Sequence, residues 1–191
     1  MKPITLAGFA DKFAQDSDPW NTWHTADEVL KRQAILHALP SGVSGRVLEL
    51  GAGNGSNSLA LAARSLRLDA TEATEEGREL VERAVAACPR ARAIRLVVPA
   101  TPPRPCYDAI VIAELLYYLS PRDMRRLARQ VARRLAQGGT LVLAHHRITF
   151  YDFAQHADEI QARFLNMTGV RWRCRLVRQT SHWSVISCTR A

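Results

Sequence analysis

Nowhere in the chain do about 18 apolar residues run together, so no segment has the length of a membrane-spanning helix. The opening Met1–Ala10 stretch is weakly apolar and meets Asp11 at once, too short for a secretory signal with its cleavage site. Cysteine is sparse: Cys88, Cys106, Cys174 and Cys188 lie far apart, and no C-x-x-C pair exists. That removes a zinc or dithiol motif and leaves reduced thiols in the cytoplasm as the expectation, with no membrane partner. Lysine is nearly missing, 3 residues against 23 arginines, and the net charge is +8. Arg122, Arg125, Arg126, Arg129, Arg133 and Arg134 concentrate that charge on one segment. Such a segment suits nucleic acid or an acidic substrate. No aromatic residue interleaves it to stack on bases, so a solvated helix face is the simpler reading and nucleic acid is not the expected partner.

What remains is a chain of 191 residues, 47% hydrophobic, without repeats or long linkers, which is read as one domain. Short apolar runs alternate with helical patterns, and this argues for an α/β fold on a mostly parallel sheet. Helices are expected over residues 3–15, with Leu6, Phe9 and Phe13 as the apolar side, and over 25–39, stopped by Pro40. Strands are expected at Val47–Leu50, Leu66–Glu72, Ile94–Val98, Asp108–Ala113 and Thr140–Ala144. Between them fall helices at Ser58–Ser65, at Thr74–Ala87 with Thr74 as N-cap, and from Ser120-Pro121-Arg122-Asp123 to a stop at Gly138-Gly139. Asp158–Phe164 reads as helix. Trp172, Cys174 and Leu176 alternate with arginines, and after Gln179-Thr180-Ser181 come Trp183, Val185 and Ile186, which reads as two strands in a hairpin.

The functional signal sits at Val47-Leu48-Glu49-Leu50-Gly51-Ala52-Gly53-Asn54-Gly55, a buried strand running into a turn with glycine at alternate positions. In open α/β sheets ligands bind beyond the C-terminal ends of strands. A dinucleotide loop wants G-x-G-x-x-G, but Ser56 occupies its third glycine position. G-x-G-x-G after an acidic strand is the commoner form in S-adenosylmethionine sites. Glu72, at the tip of the second strand, is placed to accept ribose hydroxyls.

Beyond the loop, Phe13-Ala14-Gln15-Asp16-Ser17-Asp18-Pro19-Trp20 with Glu28, Lys31 and Ala38-Leu39-Pro40 resembles the nodulation protein S family of small class I S-adenosylmethionine-dependent methyltransferases. So do Tyr107–Ser120, with its Glu114-Leu115-Leu116-Tyr117-Tyr118-Leu119 run, and Leu135–His145. The resemblance covers roughly residues 9–147. It implies a Rossmann-like class I methyltransferase fold: a seven-stranded, mostly parallel sheet with a C-terminal antiparallel strand pair and an N-terminal helical lid. The lid would span 1–40, the cofactor-binding core 46–150, and the C-terminal helix and strand pair 151–191. It also implies S-adenosylmethionine as cofactor and a small-molecule acceptor. Glu49, Gly51, Ala52, Gly53, Asn54, Gly55, Glu72, Ala73, Ala113 and Lys31 are then the expected cofactor residues. Two departures stand out. Residues 97–102 contain no acid where many relatives place an Asp for the adenine amino group, and Ala26 and Asp27 replace the family's aromatics before Glu28.

Methyl transfer is an in-line displacement with a neutral leaving group, so alignment is the main requirement, and an amine or hydroxyl nucleophile must also shed a proton. Glu114 and His145, at the ends of the fourth and fifth strands, are expected to face the acceptor, with Tyr117 as a wall or proton contact. Trp20, Trp23, His24, Tyr118, His146 and Arg147 are the expected acceptor-side residues. His145, His146, Asp152 and His156 have no metal-site spacing, and no metal is expected. Three other readings stay open: a class I fold doing non-methylating work, a nucleic-acid methyltransferase, and a dinucleotide oxidoreductase. A homodimer remains the alternative to a monomer.

Overall fold

A computed structural model describes residues 3–191. Two helices, α1 (Leu6–Gln15) and α2 (Ala26–Ala38), precede the sheet. There follow β1 (Ser44–Leu50), α3 (Ser56–Ala62), β2 (Ser65–Glu72), α4 (Glu75–Ala84), β3 (Ala91–Arg95), β4 (Tyr107–Ala113), α5 (Pro121–Arg134) and β5 (Leu135–His146). α6 (Ile160–Met167), β6 (Trp172–Gln179) and β7 (Trp183–Arg190) complete the chain. The seven strands form one sheet in the order β3-β2-β1-β4-β5-β7-β6. Neighbours are parallel from β3 to β5, and β7 runs antiparallel to both β5 and β6. The expected architecture, including the closing strand pair, is therefore present. No helix among the described residues is long and apolar enough to cross a membrane.

The central parallel strands β1, β4 and β5 bury apolar side chains on both faces of the sheet, as parallel strands do. Leu48, Leu50, Ile110, Ile112, Leu141 and Leu143 pack beneath α5 and α6. Val47, Val111, Val142 and Ala144 point the other way, toward Ala34, Ile35 and Ala38 of α2 and Leu61 and Val81 behind the glycine loop. Helix ends follow the capping chemistry visible in the sequence. The Ser120 hydroxyl accepts the Asp123 N–H at 3.1 Å ahead of Pro121, and Thr74 caps α4 by accepting the Gly77 N–H at 3.1 Å.

Several local expectations need correction. The third strand lies at Ala91–Arg95, ahead of the apolar Ile94–Val98 run, because its register against β2 pairs Leu68 with Ala91 and Glu72 with Arg95 and ends where β2 ends. Helix α5 stops at Arg134, before Gly138-Gly139; Leu135 already pairs with Tyr107, and the glycines fall in an irregular stretch of β5 before Ala109 meets Thr140. Helix α3 starts two residues early, at Ser56, directly from the glycine turn. Cys174 and Cys188 are not separate thiols. They face each other across β6 and β7 and are joined by a disulfide, while Cys88 and Cys106 are free. A cross-strand register is invisible in cysteine spacing, and for that reason the expectation of reduced thiols fails for this pair.

Candidate active site

Gly51, Gly53 and Gly55 adopt φ of 70°, 61° and 85° as the chain turns from β1 into α3. A side chain on Gly55 would come within 2.7 Å of Ala84 Cβ and 3.0 Å of Val81 Cα, so glycine lets the turn press against α4. Around Gly53 nothing lies within 4 Å of such a position, which leaves that side of the loop open for a ligand. Ala52 donates its N–H to Thr71 O at 2.8 Å, and Gly53 donates to Glu72 Oε2 at 3.0 Å, tying the turn to the tip of β2. The other Glu72 oxygen accepts the Thr74 N–H at 3.2 Å. Ala73, next to it, is partly exposed, and Ala113 closes the end of β4 with 7% exposure.

Two carboxylates sit behind this turn. Glu49 is 1% exposed and accepts a 2.5 Å hydrogen bond from Ser58 Oγ. Burial pushes its pKa up to about 8, the Ser58 bond opposes that, and the Glu72 charge adds to it. Burial also raises the Glu72 pKa against the backbone N–H groups of Thr74 and Gly53. Buried acids of this kind favour a partner that brings hydrogen-bond donors or positive charge.

The segment between α1 and α2 folds onto the loop. The Asn54 amide donates to Asp18 Oδ1 at 2.7 Å and to Thr22 Oγ1 at 2.9 Å. Asp18 also accepts the N–H groups of Thr22 and Trp23 at 2.7 and 3.2 Å. Burial alone would raise the Asp18 pKa, but these bonds outweigh it and hold it low. Asp18 and Thr22 are thus the fasteners of the lid, absent from the residues expected of the site. Their sequence signal was the Asp-Ser-Asp-Pro-Trp turn, whose alternating acids offered acceptors to neighbouring N–H groups. Trp20 packs on Phe9 and Phe13 of α1 and Trp23 lies under the Arg32 guanidinium, so both are anchors of the lid as well as candidate walls. His24 is exposed.

Across from the loop, Glu114 leaves β4 with a left-handed φ of 52°, a conformation found at functional turns. The Lys31 ammonium, 2% exposed, bridges Glu114 and Glu28 at 2.7 Å each. Tyr117 donates its hydroxyl to Glu114. Burial would raise the Glu114 pKa, but Lys31 first, and then His146 and His145, hold it below the usual carboxylate value. The same pairing keeps Lys31 protonated despite burial. Lys31, expected among the cofactor residues, is therefore committed to two carboxylates. His146 places Nε2 3.6 Å from Glu114, with Nδ1 3.3 Å from the His182 carbonyl. Tyr118 packs edge-on to Tyr117 and Phe9, and exposed Arg147 donates to Thr180 O at 2.8 Å.

His145 departs from expectation. Strand alternation turns it inward, where it is 1% exposed, accepts the Leu116 N–H at 3.3 Å and meets Tyr117 edge-on. Burial lowers its pKa to about 4 against the pull of Glu114, so its ring is neutral and a poor proton acceptor. Tyr117 is also 1% exposed and stacks on Phe153, with its hydroxyl turned to Glu114. A surface concavity of about 480 Å³ lies elsewhere, on α5 among Pro121, Arg122, Arg125, Arg126 and Arg129. It carries neither acid nor aromatic. Among the described residues no three of His, Cys, Asp and Glu gather as a metal cluster.

Residues 47–139 match a family model described as Methyltransferase domain. No curated protein matches the sequence. Among solved structures, the N-methyltransferase NodS from Bradyrhizobium japonicum WM9 in complex with S-adenosyl-L-homocysteine superposes with a TM-score of 0.83 at 18% identity, covering 97% of this chain and 97% of that one. A candidate methyltransferase from Pseudomonas syringae gives 0.72 at 25% identity, covering 87% and 100%. The complex of DhpI with S-adenosylhomocysteine gives 0.76 at 18%, covering 97% and 94%. Residues 47–139 thus match the model of a methyltransferase domain, and the chain as a whole has the fold of NodS.

Proposed function

We propose that the protein transfers a methyl group from S-adenosylmethionine to a nitrogen or oxygen atom of a small-molecule acceptor. The observation that carries this reading is the glycine turn, with open space over Gly53 and the buried carboxylates of Glu49 and Glu72 behind it. That donor and acceptor set fits a ligand with ribose hydroxyls and a cationic end. Glu72 would take the ribose and Glu49 the methionine side. The backbone of Gly51, Ala52, Gly53 and Gly55 would lie against the ligand, with Ala73 and Ala113 as small walls and Asn54 holding the lid over it. When bound, the cofactor supplies a methyl group on a sulfonium with a neutral leaving group. NodS and DhpI, both crystallised with the demethylated product, support the assignment.

The remaining task is to orient a nucleophile and take up its proton. Glu114, kept ionised by Lys31, attracts a protic nucleophile to the end of β4. His146 accepts the proton at Nε2 while Nδ1 faces the His182 carbonyl, and Glu114 stabilises the imidazolium that results. His145 and Tyr117 position Glu114 and Leu116 from within the core, and Lys31 acts through Glu114. Trp20, Trp23, Tyr118, His24 and Arg147 would border the acceptor. Incubation with S-adenosylmethionine and panels of small amines and alcohols should yield S-adenosylhomocysteine together with one methylated acceptor class. A His146→Gln variant should lower kcat with the cofactor affinity intact. Absence of turnover across both panels, with the cofactor bound, would favour the second reading, a cofactor-binding fold without methyl transfer. The observation behind that second reading is the lack of any acid in residues 97–102, at the adenine end.

A further inference from the structure

Strand β5 sends Leu141 and Leu143 to the core beneath α5 and α6, and Val142 and Ala144 to the opposite face. By the same alternation His145 points toward α6. Because Nε2 accepts the Leu116 N–H, the proton of the neutral ring sits on Nδ1. That N–H is buried and has no partner among the described residues, an arrangement proteins avoid because it forfeits a hydrogen bond to water. On this side of the sheet lies a cavity of about 80 Å³, lined by His145, Arg147, Asp158, Glu159, Gln161 and Ser184. It opens at the N-terminus of α6, an eight-residue helix that no side chain caps. The first N–H groups of such a helix lack intrahelical partners and carry the positive end of its dipole.

The backbone carbonyls nearby are already occupied. The Arg163 guanidinium takes the His156 and Asp158 carbonyls. The Gln161 amide donates to Leu143 O and Ser184 O at 3.2 and 3.1 Å. The Ile160 N–H at the start of α6 donates to Ala157 O at 3.1 Å, and the donors left are the His145 Nδ1–H, the next N–H groups of α6, at Gln161 and Ala162, and Arg147, one arm of which holds Thr180 O.

We propose that this cavity is an anion subsite that receives a carboxylate or phosphate group of the methyl acceptor, held by the α6 N-terminus, His145 and Arg147. The identity of the ligand as acceptor rests on the methyltransferase reading. His146, which also lines the cavity, connects it to Glu114, so an acceptor anchored here directs its remainder to the end of β4. The exposed carboxylates of Asp158 and Glu159 oppose an anion and supply a control.

The test titrates the protein with inorganic phosphate and, in parallel, acetate, at fixed ionic strength, followed by ¹H–¹⁵N NMR. Saturable shifts are expected at the Gln161 and Ala162 amides and at the His145 ring N–H, and the arm that saturates at lower concentration names the preferred group. Arg147→Gln should weaken the site about tenfold, the scale of one charge-assisted contact, and Glu159→Gln should tighten it. Absence of saturation at these groups, shifts confined to the α5 arginines, or indifference to both substitutions overturns the proposal. The titration uses no cofactor. Its failure with S-adenosylhomocysteine binding intact therefore removes only the subsite, whereas loss of that binding with the anion site intact removes the methyltransferase reading.

Discussion

Replacing Lys31 with methionine removes the single ammonium that two carboxylates share. The Lys31 side chain is 3% exposed, and those of Glu28 and Glu114 are 21% and 27% exposed, with both contacts at 2.7 Å. Breaking one side of a buried ion pair costs about 3–5 kcal/mol, and the water reaching both acids reduces this to about 2–4 kcal/mol. For a chain of this length each kcal/mol moves Tm by about 2–4 °C, so the variant should melt roughly 5–15 °C lower. Urea unfolding should show a lower midpoint at unchanged m. Combining Lys31→Met with Glu114→Gln should recover part of the loss, with a coupling of about 1 kcal/mol or more. Without its cation, Glu114 loses the charge that lowers its pKa, so the acid limb of turnover should move to higher pH. A variant within about 1 °C of the parent, or a double mutant with additive losses, would refute the claim that Lys31 holds Glu114 rather than the cofactor.

Other consequences are open to simple assays. Gly53→Ala should cost about 1–2 kcal/mol for its left-handed φ, read by urea unfolding, whereas Gly55→Ala should cost more because its side chain also meets Ala84 and Val81. For Glu49 the folded pKa of about 8 exceeds the ordinary 4.5, so the folded state holds the extra proton between those values. Stability of the cofactor-free protein should then be fully present below about pH 4.5 and fall as pH rises toward 8, and Glu49→Gln should flatten that decline in a Tm–pH series. Thiol titration of the unreduced, unfolded chain should count two groups, not four. Reduction should lower stability by up to about 3 kcal/mol, the closure term for a loop of this size. Asp18→Ala should release the lid and speed amide exchange of Thr22 and Trp23, whose N–H groups it accepts.

Strand and helix identities were legible because their causes are local. Near-continuous apolar runs such as Ile110–Ala113 mark strands buried on both faces, and Ser120-Pro121 marks a helix start by its own capping chemistry. The glycine turn was legible for the same reason. What stayed hidden depends on partners distant in sequence. The third strand slipped ahead of its apolar run because β2 sets its register, and Cys174 met Cys188 only once β6 and β7 were paired. Lys31 reads as a cofactor residue until Glu114, 83 residues later, is brought to it. His145 and His146 look equivalent in sequence, yet one position of strand alternation buries the first and sets the second beside Glu114.

Titration calorimetry with S-adenosylhomocysteine addresses the central claim, that the turn at Gly51–Gly55 and the carboxylate of Glu72 form the cofactor site. The expected result is one-to-one binding by the parent protein, lost on Glu72→Ala while the variant keeps its folded near-ultraviolet signal. No heat of binding at millimolar ligand, or equal affinity in the folded Glu72→Ala variant, would contradict it.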